Sequence, residues 1–594
     1  MMGGGMGHRT DGQPSRVVPR SRLAAMATAP WFLATITVIA FAAFSVDTVG
    51  PLRGTAAGTD LVPAVAVSGG GQRPAWRTTK DPLPANANKH LESTINATAC
   101  PAAGSCVAVG NYRTGSGGDS LGLIETLSGG MWIPTQAPLP ADAGPEVILN
   151  DIACSTVGSC VAVGNYFDTG NASHGLIEAL SGGTWTPIEA PLPANAATNS
   201  GVNLKSLACP DVGDCVAIGN YGDGSGFGQG LLETLSAGTW TATEAPLPAN
   251  ALPNGGIVSA VACETASTCV VIGNYTVMGG GEGLIETLSG GTWTSTEVPL
   301  PTQGASGNLL DVTCPDVADC VAVGNYSDQG HNAHVLVDTL SAGTWTPTEA
   351  RLPAGAQPSG NLLSVSCADA ADCEAVGGYI DTAGNPQGLI ETLSGGTWTA
   401  GAAPVPPNAE SGSGHRYLSL VACSAVGFCA AGGGYTDTTA VDQTLLETLL
   451  AGKWIPTEAS IPGNRTGTAV VNDVSCPAPD SCVSVGNYND LMGFGRGVIE
   501  TLVGTSPTIS SPDRATFVDG QAGTFTVTAT GSPVPSITER DKLPKGLRFT
   551  GGKSTASISG TPAPRTAGHY LVTIEASNGL GPKATQYLTV TIKR

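Results

Sequence analysis

Residues 185–240 read WTPIEAPLPANAATNSGVNLKSLACPDVGDCVAIGNYGDGSGFGQGLLETLSAGTW, and this stretch decides the fold. Four short runs stand out in it: WTPIE at 185–189, LKSLAC at 204–209, CVAIG at 215–219 and GLLETL at 230–235. Gly, Pro, Asp and Asn residues separate the runs, which is typical of antiparallel β-strands joined by turns. The stretch therefore predicts one four-stranded antiparallel sheet.

This four-strand unit is repeated eight times between about Trp76 and Leu502, with 51 to 56 residues from one cysteine pair to the next. Each copy carries one marker tryptophan: Trp76, Trp132, Trp185, Trp240, Trp293, Trp345, Trp398 and Trp454. Eight such units predict an all-β fold, an eight-bladed β-propeller. A straight solenoid is the alternative, and it would need capping units at its ends.

The two ends of the repeat series complement each other. The series begins with a tryptophan strand at 76–79 that has no unit before it, and it ends with a third strand at 497–502 that no tryptophan follows. We expect the Trp76 strand to complete the eighth sheet, which closes the ring and removes exposed sheet edges.

All 16 cysteines fall in pairs with five residues between the two members, one pair in each unit. The pairs are Cys100/Cys106, Cys154/Cys160, Cys209/Cys215, Cys263/Cys269, Cys314/Cys320, Cys367/Cys373, Cys423/Cys429 and Cys476/Cys482. Cysteines that face each other across a tight hairpin can be bridged, and an exported chain meets an oxidising environment. Eight local disulfides are predicted in preference to zinc sites, which need four ligands at shorter spacing.

The third strand of each unit carries one carboxylate: Glu125, Glu178, Glu233, Glu286, Asp338, Glu391, Glu447 and Glu500. Charged residues on strands usually face water, so solvated positions are expected for this set. A circle of carboxylates that binds cations or a basic ligand is the alternative.

A second set of acids follows the second strand: Asp168, Asp223, Asp328, Asp381, Asp437 and Asp490. Aspartate near glycine is typical of a turn. Calcium binding is the alternative, but the Asp-x-Asp-x-Asp spacing of a calcium loop is absent. No cofactor and no metal ligand is therefore assigned.

Residues that could support catalysis are scattered through the propeller repeats: Arg113, Arg351, Arg416, Arg465, Arg496, His90, His174, His331, His334 and His415. The His331-x-x-His334 spacing is a weak indication of a metal, and chance is the favoured explanation. A catalytic site normally breaks the symmetry of a repeated scaffold, and the repeats show no such break. No catalytic or ligand-binding residue is assigned.

The N-terminus is predicted to direct export. Arg9, Arg16, Arg20 and Arg22 precede an apolar run over 24–46, for which an uncleaved transmembrane anchor is favoured over a cleaved signal peptide. Residues 61–505 hold 11 Lys and Arg against 39 Asp and Glu, and a field of that sign argues against a nucleic-acid partner. The chain is expected at the cell membrane with extracellular domains, or as a secreted protein.

The repeat unit resembles the neuraminidase-repeat, or Asp-box, propellers of bacteria and the photosystem II assembly-factor type. The resemblance lies in the AVG sequence of the second strand, the LI sequence of the third strand and the SGGTW turn at 181–185. The Asp-box aspartate is absent from that turn. The resemblance therefore implies the fold and no activity.

After Thr505, cysteine and tryptophan vanish, and alternating runs at 524–529, 556–559, 570–574 and 587–592 predict a β-sandwich. The sequences ATGSPVPSI (529–537), LPKGL (543–547), SGTP (559–562) and EASNG (575–579) closely resemble an immunoglobulin-like, cadherin-related domain family of bacterial surface proteins. The resemblance implies extracellular adhesion or spacing, sometimes with calcium. The cadherin calcium sequences are absent, so Asp513, Asp519 and Asp541 are not assigned to a metal.

The predicted organisation is a basic cytoplasmic segment at 1–23, a signal peptide or membrane anchor at 24–46, a linker at 47–75, the propeller at 76–505 and the immunoglobulin-like domain at 506–594. The predicted function is a non-enzymatic binding or adhesion protein. Its propeller would bind a surface glycan, peptide or protein, and its C-terminal domain would act as a spacer or adhesive module. An extracellular glycoside hydrolase or lyase and a purely structural envelope protein are the alternatives.

Overall fold

Eight four-stranded antiparallel sheets, the blades, make up most of the computed structural model. The structure describes residues 74–594 apart from 89, 91, 116–118, 254, 317–318, 413, 451, 461–464, 533 and 579–582. The predicted N-terminal span over 24–46 lies outside the described residues. Within the described part, no helix is long and apolar enough to cross a membrane.

The first four blades contain four strands each, in chain order from the centre outward. Blade 1 has β2 (Ser93–Ala102), β3 (Ser105–Arg113), β4 (Ser120–Ser128) and β5 (Met131–Gln136). Blade 2 has β6 (Ala143–Thr156), β7 (Ser159–Asp168), β8 (Ser173–Ser181) and β9 (Thr184–Glu189). Blade 3 has β10 (Asn203–Asp211), β11 (Asp214–Gly222), β12 (Gly228–Ser236) and β13 (Thr239–Glu244). Blade 4 has β14 (Gly256–Thr265), β15 (Thr268–Val277), β16 (Gly280–Ser289) and β17 (Thr292–Glu297).

The next three blades repeat the same order, and blade 8 takes its outermost strand from the start of the chain. Blade 5 has β18 (Gly304–Asp316), β19 (Asp319–Asp328), β20 (Ala333–Ser341) and β21 (Thr344–Glu349). Blade 6 has β22 (Ala356–Asp369), β23 (Asp372–Asp381), β24 (Pro386–Ser394) and β25 (Thr397–Ala402). Blade 7 has β26 (Arg416–Ala425), β27 (Phe428–Thr436), β28 (Asp442–Leu450) and β29 (Lys453–Glu458). Blade 8 has β30 (Arg465–Ala478), β31 (Ser481–Asp490), β32 (Gly495–Ile509) and β1 (Pro74–Lys80).

The ring closes where the sequence predicts it. Strand β1 pairs antiparallel with β32, with Trp76 opposite Leu502. The innermost strands β2 and β30 pack side by side, so the first blade meets the last. Side chains also cross this seam, because the amide of Thr98 donates to Asp473 Oδ2 at 2.7 Å and Asn472 Nδ2 donates to the carbonyl of Ile95 at 2.7 Å. The propeller is therefore a closed ring held by its own two ends.

Apolar residues fill the spaces between blades. Val109 and Ile124 of blade 1 belong to one buried cluster with Ala162 and Leu176 of blade 2. Because each blade is covered on both faces, its second and third strands are buried on both sides. This explains why these strands carry nearly continuous apolar runs.

Eight disulfides join the cysteines of each unit, as the spacing predicts, with Cα–Cα distances of 4.0 to 4.2 Å. Each one bridges the hairpin between the first and second strands of its blade. Cys263 and Cys269, for example, are direct cross-strand partners. The disulfides fix the register of these hairpins.

The C-terminal residues form an immunoglobulin-like sandwich. Its strands are β33 (Arg514–Val518), β34 (Gly523–Ser532), β35 (Ser536–Glu539), β36 (Leu547–Thr550), β37 (Gly552–Lys553), β38 (Thr555–Gly560), β39 (Gly568–Ser577) and β40 (Ala584–Lys593). One sheet has the order β33-β40-β39-β35-β37, and the other joins β34, β38 and β36. Val527, Ile558, Val572, Leu588 and Val590 are fully buried between the two sheets.

Strand β32 belongs to both domains. Its first part pairs with β31 and β1 in blade 8, and its last part pairs with β34 of the sandwich. Thr505 lies at the junction, opposite both Pro74 and Ser532. Asn578 Nδ2 also donates to the carbonyl of Thr505 at 2.7 Å. One strand and these contacts connect the sandwich to the eighth blade.

Candidate functional site

The two cysteines of each predicted disulfide differ in their exposure to solvent. The first member, on the innermost strand, is partly exposed in every blade. The second member is at most 4% exposed in every blade: Cys106, Cys160, Cys215, Cys269, Cys320, Cys373, Cys429 and Cys482.

Spacing alone does not predict this difference, which arises because the neighbouring blade covers the second strand. Cys160 and Cys215, for example, belong to the apolar clusters between blades. The described part of the chain contains no free cysteine. Each described disulfide is therefore packed into the core through its second cysteine, while its first cysteine reaches the surface.

The third-strand carboxylates are also buried between blades. Seven of them have no exposed surface and Glu500 is 3% exposed. Glu178 pairs across the sheet with Ala162 and Pro187, and Ala162 lies in the apolar cluster between blades 1 and 2. The expectation of solvated positions is therefore wrong, because neighbouring blades cover both faces of the third strand. Sequence patterns from sheets with one solvated face do not apply to this position.

Burial makes these carboxyls hard to ionise. It raises the pKa of Glu178, Glu233, Glu286 and Glu391 to about 8 and that of Asp338 to about 7. Seven of the eight have no hydrogen-bond partner for either oxygen among the described residues: Glu125, Glu178, Glu233, Glu286, Asp338, Glu391 and Glu447. A carboxyl that is buried in an apolar layer does not face a ligand. The alternative of a cation-binding circle therefore finds no support in their geometry.

The second set of aspartates forms turns, as predicted. Asp223 Oδ1 accepts the amides of Ser225 and Phe227 at 2.9 Å each. The backbone amide of Phe227 and neighbouring donors hold the Asp223 pKa below its usual value. The same pair of amide bonds, to the residues two and four positions on, recurs at Asp168, Asp328, Asp381, Asp437 and Asp490. Within the described residues, no group of three acids, histidines or cysteines could hold a metal ion.

The Oδ2 atom of each turn aspartate contacts the side chain of the residue six positions later in the chain. This contact was not predicted from the sequence. These residues are His174, Gln229, His334, Gln387, Gln443 and Arg496. All of them lie at the start of a third strand. The constant separation from the turn aspartate was a signal that could have revealed this contact.

A further repeated contact fixes the connection between blades. Tyr221 donates to Asn195 Oδ1 at 2.9 Å and to Glu244 Oε2 at 3.1 Å, and Asn195 Nδ2 donates to Glu244 at 2.7 Å. Tyr275 and Tyr435 make the same contacts in blades 4 and 7. The tyrosine and asparagine that recur in these units therefore hold the loop that leads from one blade to the next.

The arginines and histidines of the propeller do not gather in one site, as their contacts show. Arg113 pairs with Glu92, and Arg496 is buried and pairs with Asp490. Arg416 donates to Gln387, while Arg351 is exposed on blade 5. His334 binds Asp328 and Glu349 rather than His331. The described arginines therefore belong to different blades or different pairs.

A groove with a volume of about 760 Å³ lies at the rim between blades 5 and 6. One wall is formed by Thr348, Arg351 and Leu352 at the end of β21, and the other by Trp398 of β25. Ligand sites usually have volumes of roughly 300 to 1,000 Å³, so the groove is of suitable size. It combines an aromatic ring, hydroxyls and the positive charge of Arg351.

Glu349 follows Thr348 and is held on the opposite face of β21, because its cross-strand partner Leu336 packs in the apolar cluster between blades 4 and 5. Its Oε1 lies 3.0 Å from His334 Nδ1, and its Oε2 accepts a hydrogen bond from Tyr326 at 2.9 Å. The ring of His334 stacks on that of Tyr326, with a centroid distance of 5.0 Å. Burial and the neighbouring Glu349 raise the pKa of Tyr326 to about 12, so its hydroxyl stays protonated and donates. The carboxylate is therefore fixed on the blade 4 side of β21, two residues before Arg351.

Comparisons with solved structures find matches at low similarity. A lectin from Burkholderia pseudomallei has 14% identity over 62% of this chain and 100% of its own, with a TM-score of 0.37. A sialidase from Trypanosoma rangeli has 9% identity over 68% and 91%, with a TM-score of 0.32. A prolyl endopeptidase has 12% identity and a TM-score of 0.39, and the alignment covers 67% of this chain and 55% of the peptidase.

These similarities carry no argument about function, and the propeller fold stands on the strand pairing described above. No curated protein matches the chain at a significant level. The C-terminal domain gives a clear result. Residues 506–593 match the family described as "Putative Ig domain", which confirms the resemblance seen in the sequence and identifies this part of the chain as an immunoglobulin-like domain.

Proposed function

We propose that this chain is an extracellular, non-enzymatic binding protein whose ligand occupies the rim groove between blades 5 and 6. The observation that carries the proposal is the groove itself, a ligand-sized space with Trp398 on one wall and Arg351 on the other. Tryptophan and arginine are the residues that most often dominate binding energies, because they combine a large contact area with polar groups.

Two features support an extracellular location. Eight disulfides occur in the chain, and structural disulfides persist in oxidising compartments. The C-terminal residues also form an immunoglobulin-like domain. Because β32 continues into the immunoglobulin-like domain, this domain stays in fixed contact with the ring. The domain would serve as a spacer or adhesive module.

The chemistry of the groove favours binding over catalysis. Glu349 is the acidic residue of the lining, and its carboxylate faces blade 4, where His334 and Tyr326 engage both of its oxygens. Hydrolysis of a glycosidic bond usually needs two carboxyl groups, one as acid and one as base or nucleophile. The residues that line the groove offer one such group, so binding is the better explanation.

The test compares two tryptophans in equivalent positions of the repeat. Purified secreted protein would be applied to arrays of neutral and acidic oligosaccharides, peptides and cell-wall fragments. We expect Trp398→Ala to weaken binding by tenfold or more, and Trp240→Ala, which removes the same packing from blade 3, to leave it unchanged.

Several results would count against the proposal. Equal binding by both variants would place the ligand elsewhere. Turnover of a glycoside that is abolished by replacing a single carboxyl would establish the hydrolase alternative. A blank array for the wild-type protein would favour a purely structural envelope protein.

A further inference from the structure

Arg351 breaks the repeat at the groove. It follows Ala350 at the start of the connection between blades 5 and 6. The equivalent position in the other seven units is proline or serine: Pro82, Pro138, Pro191, Pro246, Pro299, Pro404 and Ser460. A proline here limits the backbone and provides no charge. The arginine therefore adds a chemical function that the fold does not require.

Nothing in the described chain neutralises Arg351. It is exposed and makes no ion pair or hydrogen bond with another described residue. The nearest carboxylate along the strand is Glu349, which is held by His334 and Tyr326. The guanidinium is therefore available to a ligand, and its planar set of donors matches a carboxylate well.

The net negative charge of the propeller makes an exposed arginine more important for binding an anionic ligand. Residues 61–505 carry 39 acidic against 11 basic side chains, and acids still far outnumber bases when the buried third-strand carboxyls are left out, so anions are repelled from most of this domain. An anionic ligand would need a local cation to bind. Arg351 supplies one beside a ligand-sized space.

The remaining walls fit a sugar ring. Trp398 offers an aromatic surface, with Leu352 and Pro353 on the opposite side. Thr339 and Thr348 supply hydroxyls on the blade 5 wall, on the same strand face as Val337 of the apolar cluster between blades 5 and 6. A saccharide has one apolar ring face and a border of hydroxyls, so it can stack on the indole and exchange hydrogen bonds with the threonines.

We propose that the groove selects a saccharide that carries a carboxylate. Arg351 pairs with the carboxylate, Trp398 stacks on the sugar ring and the threonines bind its hydroxyls. This inference rests on the proposed function and names the class of ligand for the same site.

The experiment uses two probes that share the same sugar chain, one with free carboxylates and one with uncharged methyl esters. An oligosaccharide of four uronic-acid units and its methyl ester would be titrated into the secreted protein by calorimetry. We expect the acid to bind at least tenfold more tightly than the ester, since a charge-assisted pair is lost in the ester. Arg351→Pro, which restores the residue of the other blades, and Arg351→Gln should lower the affinity for the acid to that for the ester.

Control variants separate this inference from the proposed function. Arg113→Gln removes a cation from blade 1 and should leave both affinities unchanged. Equal binding of acid and ester by the wild type, or full affinity for the acid in Arg351→Gln at an unchanged melting temperature, would overturn the selectivity while the Trp398 result stands on its own. Tighter binding of a glutamate-rich peptide than of any uronic-acid probe would also overturn the assignment to saccharides.

Discussion

The hydroxyl of Thr78 lies 2.8 Å from each carboxylate oxygen of Glu500, although the two residues are 422 positions apart in the chain. Among the described residues, Glu500 is the one member of the third-strand set with this contact. In the other blades the residue opposite the carboxyl is proline, alanine or serine. The closing blade therefore uses its threonine to bind a carboxyl that is left unpartnered elsewhere.

Replacing Thr78 with valine should destabilise the ring. The substitution keeps the shape of the side chain but leaves the buried Glu500 carboxyl without its donor, which costs roughly 1 to 3 kcal/mol. Denaturant unfolding would measure the loss. Thr243→Val, on the exposed outermost strand of blade 3, is the control and should change the free energy of unfolding little. Equal effects from both variants would show that the contact does not stabilise closure.

Stability should fall as pH rises. The pKa of Glu178, Glu233, Glu286 and Glu391 is raised to about 8 by burial, whereas these groups ionise near pH 4.5 when unfolded. Their stabilising contribution is complete below pH 4.5 and is lost as pH rises through about 8. The loss should approach roughly 1 kcal/mol per pH unit for each such carboxyl.

Unfolding free energies between about pH 5 and pH 9 would check this slope. Glu178→Gln, which stays neutral, should flatten it, while the exposed Glu146→Gln should not. A propeller that is equally stable at both pH values would contradict the buried, neutral state of these groups.

His334 should support ligand binding by holding the end of β21 in place. His334→Ala removes one of the two contacts that hold Glu349 at the end of β21, two residues before Arg351, so we expect the groove wall to loosen and ligand binding to weaken several-fold. His334→Gln reproduces the residue found at this position in blade 6, where Gln387 binds its turn aspartate at 3.1 Å. It should preserve the turn and still weaken binding.

Blade 2 supplies the control for this experiment. His174 makes the same contacts with Asp168 and Glu189, and His174→Gln should leave binding unchanged. Affinity measured by calorimetry for both variants would decide the matter. An equal loss from both would indicate a general effect on the ring.

Each disulfide should add to the free energy of unfolding independently of the others. Each closes a loop with a sequence separation of 6, for which the chain-entropy treatment gives roughly 2 kcal/mol. Replacing Cys314 and Cys320 together by alanine should lower the free energy of unfolding by about that amount. A reducing agent should destabilise the wild type more than any one such variant, and indifference to reduction would contradict the prediction.

Ring closure was predictable because the repeat has an unequal beginning and end. A tryptophan strand without a blade and a blade without its tryptophan strand can each be satisfied by pairing, and Trp76 lies opposite Leu502. The cysteine pairs were predictable for a similar reason, since their spacing fits a hairpin. Local patterns and their repetition contain this information.

The burial of the carboxyls, the burial of the second cysteines and the groove could not be predicted in the same way. Whether Glu178 or Cys160 faces water depends on the neighbouring blade, which lies in another part of the chain. The groove depends on the distance between two outer strands at the rim. Arg351 was visible among the scattered arginines, but its significance appears only when its position is compared with the proline of the other repeats.

The shared strand β32 has a mechanical consequence. Pro74 and Ser532 both lie opposite Thr505, so the chain enters the ring and leaves it at one point. Tension between the segment before residue 74 and the C-terminal domain would peel β1 from β32 one residue pair at a time. Tension between the C-terminal domain and a ligand bound at the rim would act along β32. The hydrogen bonds of β32 to β31 and to β1 would then have to break at the same time. The ring is thus resistant to force from a captured ligand and sensitive to force applied across its own two ends.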